Sequence, residues 1–245
     1  MNILFSLRIK NVGLWIEDCL NSLLYIRSKG IDIGFSILDD GSQDKTKDIV
    51  FSTVPNDILD YKFRSLFHNE VRDWSYLYKN MLDIHPDWWI VIDGDEVIPE
   101  NCADEIIRLS ESTPPDDYRA YSFYRLVLWD IRDDEEYYRT DKKFFPNLGC
   151  RMMYTKEITD YMLGYNHHSN FPEGLHCQAI PREIGRCPVN VLVKDYSYSK
   201  PEWRLAKYNW LISKDKGTHY EHIIDTNVSL QKYNIGDDPK KLGLY

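Results

Sequence analysis

Residues 88–96 read Trp88-Trp89-Ile90-Val91-Ile92-Asp93-Gly94-Asp95-Glu96, five apolar side chains that stop abruptly in a cluster of carboxylates. A short apolar run closed by turn residues is the pattern of a strand buried on both faces. It is far too short to span a bilayer. Asp93 and Asp95 stand two apart on the loop leaving this strand, so their carboxylates can converge on one hard cation such as Mg²⁺ or Mn²⁺. A cation there would neutralise a diphosphate and stabilise it as a leaving group. An acidic turn after a strand is also an ordinary solvated feature, and the preceding wholly apolar strand is what favours the metal reading. Glu96 either supports the loop or reaches a metal through water.

The chain upstream follows the same pattern. Asn2 to Leu7 is a short apolar strand. Leu14 to Lys29 carries Ile16, Leu20, Leu23 and Leu24 at helical spacing, and Gly30 follows as a stop signal. Ile33 to Leu38 is a second buried strand, broken by Asp39-Asp40-Gly41-Ser42-Gln43-Asp44-Lys45-Thr46. Asp44 caps a helix running through Lys47 and Val50. A strand near Tyr61 to Leu66 and a helix over Trp74 to Ile84 complete the series. This β-α-β-α-β rhythm predicts a parallel sheet with helices on its faces. Both acidic clusters then fall at carboxyl ends of buried strands, the edge where open parallel sheets bind ligands. Asp39 and Asp40 can accept from a base N–H or a ribose hydroxyl, and Gly41 permits the tight turn. Turn and capping chemistry alone explains Ser42, Asp44 and Thr46.

Downstream the pattern is less regular. Pro114 to Tyr118 is a break, and Ala120 to Trp129 reads as a strand. Asp130 to Asp141 reads as an exposed charged loop, and Cys150 to Tyr154 and Val189 to Lys194 as further strands. Ser199, Pro201 and Glu202 open a helix through Trp203, Leu205, Tyr208 and Leu211. The tail from Gly236 reads as loop or a poorly ordered end.

A formal net charge of −9 argues against a general nucleic-acid binder. A phosphate-bearing ligand remains compatible if a metal or local Arg and Lys supply positive charge. The five cysteines are odd in number and contain no C-x-x-C pair, which favours reduced thiols over a disulfide framework or zinc site. Arg8 and Lys10 follow the apolar start at once, so neither a signal peptide nor a transmembrane segment is expected, and the expected location is cytoplasmic. The seven Trp, eighteen Tyr and nine Phe are read first as core and second as stacking surfaces for bases or sugars.

Three segments together resemble the family 2 glycosyltransferases of the GT-A fold: residues 8–24 (RIKNVGLWIEDCLNSLL), 37–50 (ILDDGSQDKTKDIV) and 88–100 (WWIVIDGDEVIPE). Residues 72–82 (RDWSYLYKNML) also look like the family segment that precedes the D-x-D strand. The likeness covers roughly the first hundred residues. It implies an α/β, Rossmann-like nucleotide-diphospho-sugar transferase fold, with a mixed, mostly parallel sheet, helices on both faces and an antiparallel addition from the second half. The chain would be one domain, 1–245, with a nucleotide-sugar-binding half over 1–100 and an acceptor-side half over 101–245. Arg8, Asp39, Asp40, Arg72 and Asp93 would bind the nucleotide donor. Asp93 and Asp95 would hold Mn²⁺ or Mg²⁺, with His176 as a third ligand. Glu173 and Asp195 would be the catalytic carboxylates, one of them taking a proton from the acceptor if the reaction inverts. The chain departs from the family at two positions, with Cys177 where a Glu follows the His and Asp195 where a His is common.

The implied activity is metal-dependent transfer of a sugar from a nucleotide diphosphate sugar, uridine favoured, to the hydroxyl of a glycan, lipid-linked or protein acceptor. Two alternatives stand beside it. A sugar-nucleotide nucleotidyltransferase shares the fold logic, but residues 8–15 lack the Gly-rich phosphate loop such enzymes would carry. A non-catalytic carbohydrate- or nucleotide-binding protein on the same fold is the other.

Overall fold

The computed structural model describes residues 2–64, 69–112, 114, 119–141, 147–156, 179–180, 186–215 and 219–244. The first half folds as β1 (Ile3–Ile9), α1 (Ile16–Ser28), β2 (Ile33–Asp39), α2 (Thr46–Thr53), β3 (Ile58–Phe63), α3 (Glu70–Ile84) and β4 (Trp88–Asp93). The remainder supplies β5 (Glu96–Val97), α4 (Glu100–Ser110), β6 (Ala120–Arg132), β7 (Glu135–Arg139), β8 (Asn147–Tyr154), β9 (Arg186–Asp195), α5 (Pro201–Lys214) and β10 (Leu230–Lys232).

One ten-stranded sheet runs through both halves in the order β10-β7-β6-β8-β4-β1-β2-β3, with β9 beside β6 and β5 paired to β9. Strands β3, β2, β1 and β4 are parallel. The second half adds β8 antiparallel to β4, and the sheet becomes mixed from there. Since β1 lies between β2 and β4, the chain order reverses at β1, which opens a crevice at the carboxyl ends of β1 and β4.

Alternation along the strands sorts side chains to the two faces. Ile3, Phe5, Leu7 and Ile9 of β1 join Trp88, Ile90 and Ile92 of β4 against α1, α2 and α4. Leu4, Trp89 and Val91 face Trp74, Leu77, Tyr78 and Met81 of α3. Both faces of the parallel part are therefore covered by helix. Trp88 and Trp89 point to opposite faces and are almost wholly buried. Each contributes roughly 4–6 kcal/mol by area. Their indole N–H groups are satisfied: Trp89 donates to Ser6 Oγ at 2.8 Å and Trp88 to the Ser110 carbonyl at 3.1 Å.

Several segments differ from the sequence reading. Strand β3 starts three residues earlier than expected and α3 four residues earlier, where the Asn69 side chain accepts from the Arg72 N–H at 2.9 Å. Helix α4 was not read at all, although Cys102, Ala103, Ile106 and Leu109 bury one face at helical spacing. The charged segment from Asp130 is not a loop. Asp133 and Asp134 take φ of 51° and 63°, the mirror-image turn that joins twisted strands, and close a hairpin between β6 and β7. Residues 236–244 form loop and turns, one of the two forms expected of the tail. Tyr233 is buried, Leu242 and Leu244 pack on the core, and Tyr124 donates to the Leu244 carbonyl at 2.8 Å. No helix among the described residues is long and apolar enough to cross a membrane, and Cys19, Cys102, Cys150 and Cys187 are free thiols.

Candidate active site

The parallel register brings the two acidic strand ends to β1. Arg8 stands opposite Asp93 on β4, and Ile9 opposite Asp39 on β2. Between Asp93 and Asp95, Gly94 leaves no room for a side chain. A Cβ there would fall 2.7 Å from Ile9 Cγ2 and 2.9 Å from Val12 Cγ2. The loop therefore lies flat on the β1–α1 corner, with Asp93 and Asp95 lining the cavity in front of it.

Glu96 serves the loop itself. It is buried, accepts the Asp93 N–H at 2.9 Å, and pairs with Arg151 Nη2 at 2.5 Å. Strand β9 is joined to the same loop: Glu96 registers with Asp195, and the Tyr196 N–H donates to the Asp95 carbonyl at 3.0 Å. Asp195, a hundred residues downstream, is thereby carried beside Asp95.

The cavity, of about 440 Å³, is lined by four carboxylates (Asp40, Asp93, Asp95, Asp195) and four cations (Arg8, Lys10, Arg125, Lys207). Burial, with Asp195 and Asp93 adding repulsion, pushes the Asp95 carboxyl up to about 7. Burial also pushes Glu96 up to about 8, although Arg151 opposes it. Asp195 goes the other way. Burial alone would raise it, but Arg125 at 3.5 Å, Lys207 and the Ser197 N–H at 2.9 Å hold it below the ordinary carboxylate range. A second chamber of about 520 Å³ adjoins the first and shares Arg8, Asp93, Arg125, Lys207 and Trp210 with it.

Asp39 and Asp40 part company. Asp39 is fully buried and does not line the cavity; its oxygens accept from the Ser42 N–H at 2.7 Å and the Tyr61 hydroxyl at 2.6 Å. Asp40 faces the cavity, with Lys10 Nζ at 3.3 Å and Arg72 Nη2 at 3.8 Å. Arg72 does not line the cavity; its Nε donates at 2.8 Å to Asp73, which is fully buried. Arg8 pairs with Glu70 at 2.9 Å and lies over the Trp74 ring.

The rest of residues 39–46 latches the β1–α1 loop. Ser42 Oγ accepts from the Asn11 N–H, Thr46 Oγ1 from the Val12 N–H and Asp44 Oδ2 from the Gly13 N–H, all at 2.9–3.0 Å. A Cβ on Gly13 would fall 2.8 Å from that Asp44 oxygen. Asp44 also accepts from the Thr46 N–H at 3.0 Å, but it stands one residue before the N-cap, which is Lys45 and has no side-chain cap.

Glu173 and His176 lie outside the described residues. Among the described residues no group of three His, Cys, Asp or Glu is arranged to hold a metal. Asp93 and Asp95 nevertheless fit a hard divalent cation. Such ions take oxygen donors, and Mg²⁺ is commonly held by one or two carboxylates plus ligand phosphates. The crowding that raises Asp95 is also what a bound cation relieves.

Arg125, Arg151, Lys207 and Trp210 were not found from sequence. For Lys207 a signal existed: it sits three residues after Arg204 and four before Leu211, both buried, so it interrupts the inward stripe of α5.

No protein-family model matches the chain, and no curated protein matches it in sequence. Solved structures do match. The mannosyltransferase PcManGT from Pyrobaculum calidifontis, in complex with GDP-Man and Mn²⁺, superposes with a TM-score of 0.52 at 13% identity. That match covers 93% of this chain and 66% of the other. S. aureus TarS 1-349 matches at a TM-score of 0.47 and 14% identity, over 91% and 69% of the two chains. Glucosyl-3-phosphoglycerate synthase from Mycobacterium tuberculosis, in complex with Mn²⁺, UDP and glucosyl-3-phosphoglycerate, matches at 0.37 and 15% identity, over 50% and 43%. The chain thus spans about two thirds of the mannosyltransferase's length. Its fold is that of the GT-A glycosyltransferases, a mixed α/β architecture with a largely parallel core.

Proposed function

We propose that this chain is a glycosyltransferase that moves a sugar from a nucleotide diphosphate sugar to an acceptor hydroxyl, with a divalent metal and a uridine donor favoured. The observation that carries this reading is the convergence of Arg8, Asp40, Asp93 and Asp95 on one cavity at the crevice where the sheet order reverses.

Asp40 is suited to accept from the ribose or base, oriented by Lys10 and Arg72. Asp93 and Asp95 are suited to hold Mn²⁺ or Mg²⁺, which when bound supplies Lewis-acid charge at the diphosphate. Arg8 adds a fixed positive charge beside Asp93, where a departing diphosphate gains negative charge. If the reaction inverts, a carboxylate takes the acceptor proton. Asp195 is held at low basicity by Arg125 and Lys207, which suits anchoring Arg125 at 3.5 Å and favours Glu173 as the base.

The test is a thermal-shift screen of UDP- and GDP-sugars with and without Mn²⁺, followed by a donor-hydrolysis assay. Metal-dependent stabilisation and slow release of nucleoside diphosphate support the reading. Release of pyrophosphate would favour a nucleotidyltransferase, and binding without turnover a non-catalytic protein.

A further inference from the structure

We propose that Lys207 grips the donor's diphosphate from the α5 wall of the cavity, a role that rests on the nucleotide-diphosphate-sugar reading above. Every other cation of the cavity has a carboxylate within 4 Å. Arg8 has Glu70 at 2.9 Å, Lys10 has Asp40 at 3.3 Å and Arg125 has Asp195 at 3.5 Å. Lys207 has none among the described residues. Its ammonium donates to Ser197 Oγ at 3.3 Å and lies 4.2 Å from the centroid of the Tyr198 ring.

An ammonium has three N–H donors, and one neutral hydroxyl uses only one of them. Asp195 and Asp95 keep this half-buried ammonium charged from beyond ion-pair distance, so its remaining N–H donors are left to a ligand. Its position agrees. Lys207 lines both chambers, as do Arg8 and Asp93, so it stands where the two spaces meet beside the Asp93–Asp95 loop. A diphosphate seated on that loop presents oxygens on the side away from the metal, and lysine is a common point-charge partner for phosphate. The bland role for Lys207 is to fix the Ser197 turn through its hydroxyl. That role makes no distinction between ligands with one phosphate and ligands with two.

The experiment is calorimetric titration of UDP, GDP and UMP in the presence of Mn²⁺, on the wild-type chain and on Lys207→Met, Lys207→Gln and Lys207→Arg. Loss of a charge-assisted hydrogen bond should weaken nucleoside diphosphate binding by about 10- to 100-fold in the Met and Gln variants. UMP binding should change far less, and the Arg variant should stay within a few-fold of wild type. Lys207→Gln retains a donor for Ser197, so it keeps the test valid if Lys207→Met misfolds. Diphosphate affinity in Lys207→Gln equal to wild type, or equal losses for UDP and UMP, overturns the proposal while leaving the donor reading intact. A wild-type chain that binds neither UDP nor GDP overturns both.

Discussion

Arg151 and Glu96 are paired at 2.5 Å, and the same guanidinium reaches within 3.8 Å of Asp93. One arginine from the antiparallel half thus fixes the acidic loop that the parallel half presents. The pair is largely withdrawn from water, with Arg151 12% and Glu96 1% exposed. Above about pH 8, where Glu96 is ionised, removing one partner of this buried pair leaves an uncompensated charge and typically costs about 3–5 kcal/mol. Arg151→Met should lower stability in urea by roughly 2–4 kcal/mol, and the double variant with Glu96→Met should recover part of that loss. An Arg151→Met chain as stable as wild type would mean that the pair does not hold the loop.

Asp95 carries the opposite expectation, activity lost without stability lost. Its carboxyl is pushed up to about 7 by burial and by Asp195 and Asp93. A raised folded-state pKa means that the carboxyl stabilises the fold below about pH 4, and that this contribution fades as pH rises through about 7. Asp95→Asn removes a charge that the metal-free fold disfavours at pH 8. The variant should melt no lower than wild type there, and its advantage should shrink toward pH 5. Metal-dependent turnover should nevertheless fall at least about 100-fold, on the order of what losing one key electrostatic group costs. Full activity at saturating donor and Mn²⁺ would remove Asp95 from the site.

The acidic strand ends also mark how far the sequence could be read. Wholly apolar strands announce themselves, so β1, β2, β4 and the acidic ends at Asp39 and Asp93 were legible, and with them the parallel half. Asp133 and Asp134 were misread because a charged pair looks like solvated loop until its positive φ values close a hairpin. Arg125 and Arg151 were invisible for a different reason, and Lys207 showed only as a break in the buried stripe of α5. Each arginine is an ordinary polar residue locally, and only β8 pairing with β4 and β6, and β9 with β5 and β6, brings that half against the acidic loop. Asp39 and Asp40 look equivalent in sequence because alternation along a strand end decides which one faces the cavity.

Gly94 should be intolerant of even one methyl group. A Cβ placed there meets Ile9 at 2.7 Å and Val12 at 2.9 Å, both side chains held in or against the core. Overpacking of this kind costs about 1–3 kcal/mol. Relief requires the loop to lift, which would displace both Asp93 and Asp95. Gly94→Ala should therefore lose stability in denaturant titration and also weaken Mn²⁺ binding, whereas Gly30→Ala, strained by its φ of 91° but with nothing within 4 Å of its Cβ, should lose stability and leave metal binding unchanged. Normal Mn²⁺ affinity in Gly94→Ala would show that the loop's seat does not set the site.

The division of labour between Asp39 and Asp40 yields the last prediction. Asp39 is fully buried and takes hydrogen bonds from Tyr61 and the Ser42 backbone, so Asp39→Asn leaves at least one of those donors facing an amide. An imperfectly satisfied buried group costs about 1–3 kcal/mol, and the β2–α2 turn should loosen with it. Asp40 has cations on two sides and opens on the cavity. Asp40→Asn should leave the melting temperature near wild type and weaken nucleotide binding by about tenfold or more, the worth of one charge-assisted hydrogen bond. The two variants, compared side by side by thermal melting and by nucleotide titration, should show these losses on opposite axes. If Asp40→Asn destabilises the fold and leaves nucleotide affinity untouched, the acidic end of β2 is structural throughout, and the nucleotide must be held from Arg8 and β4 alone.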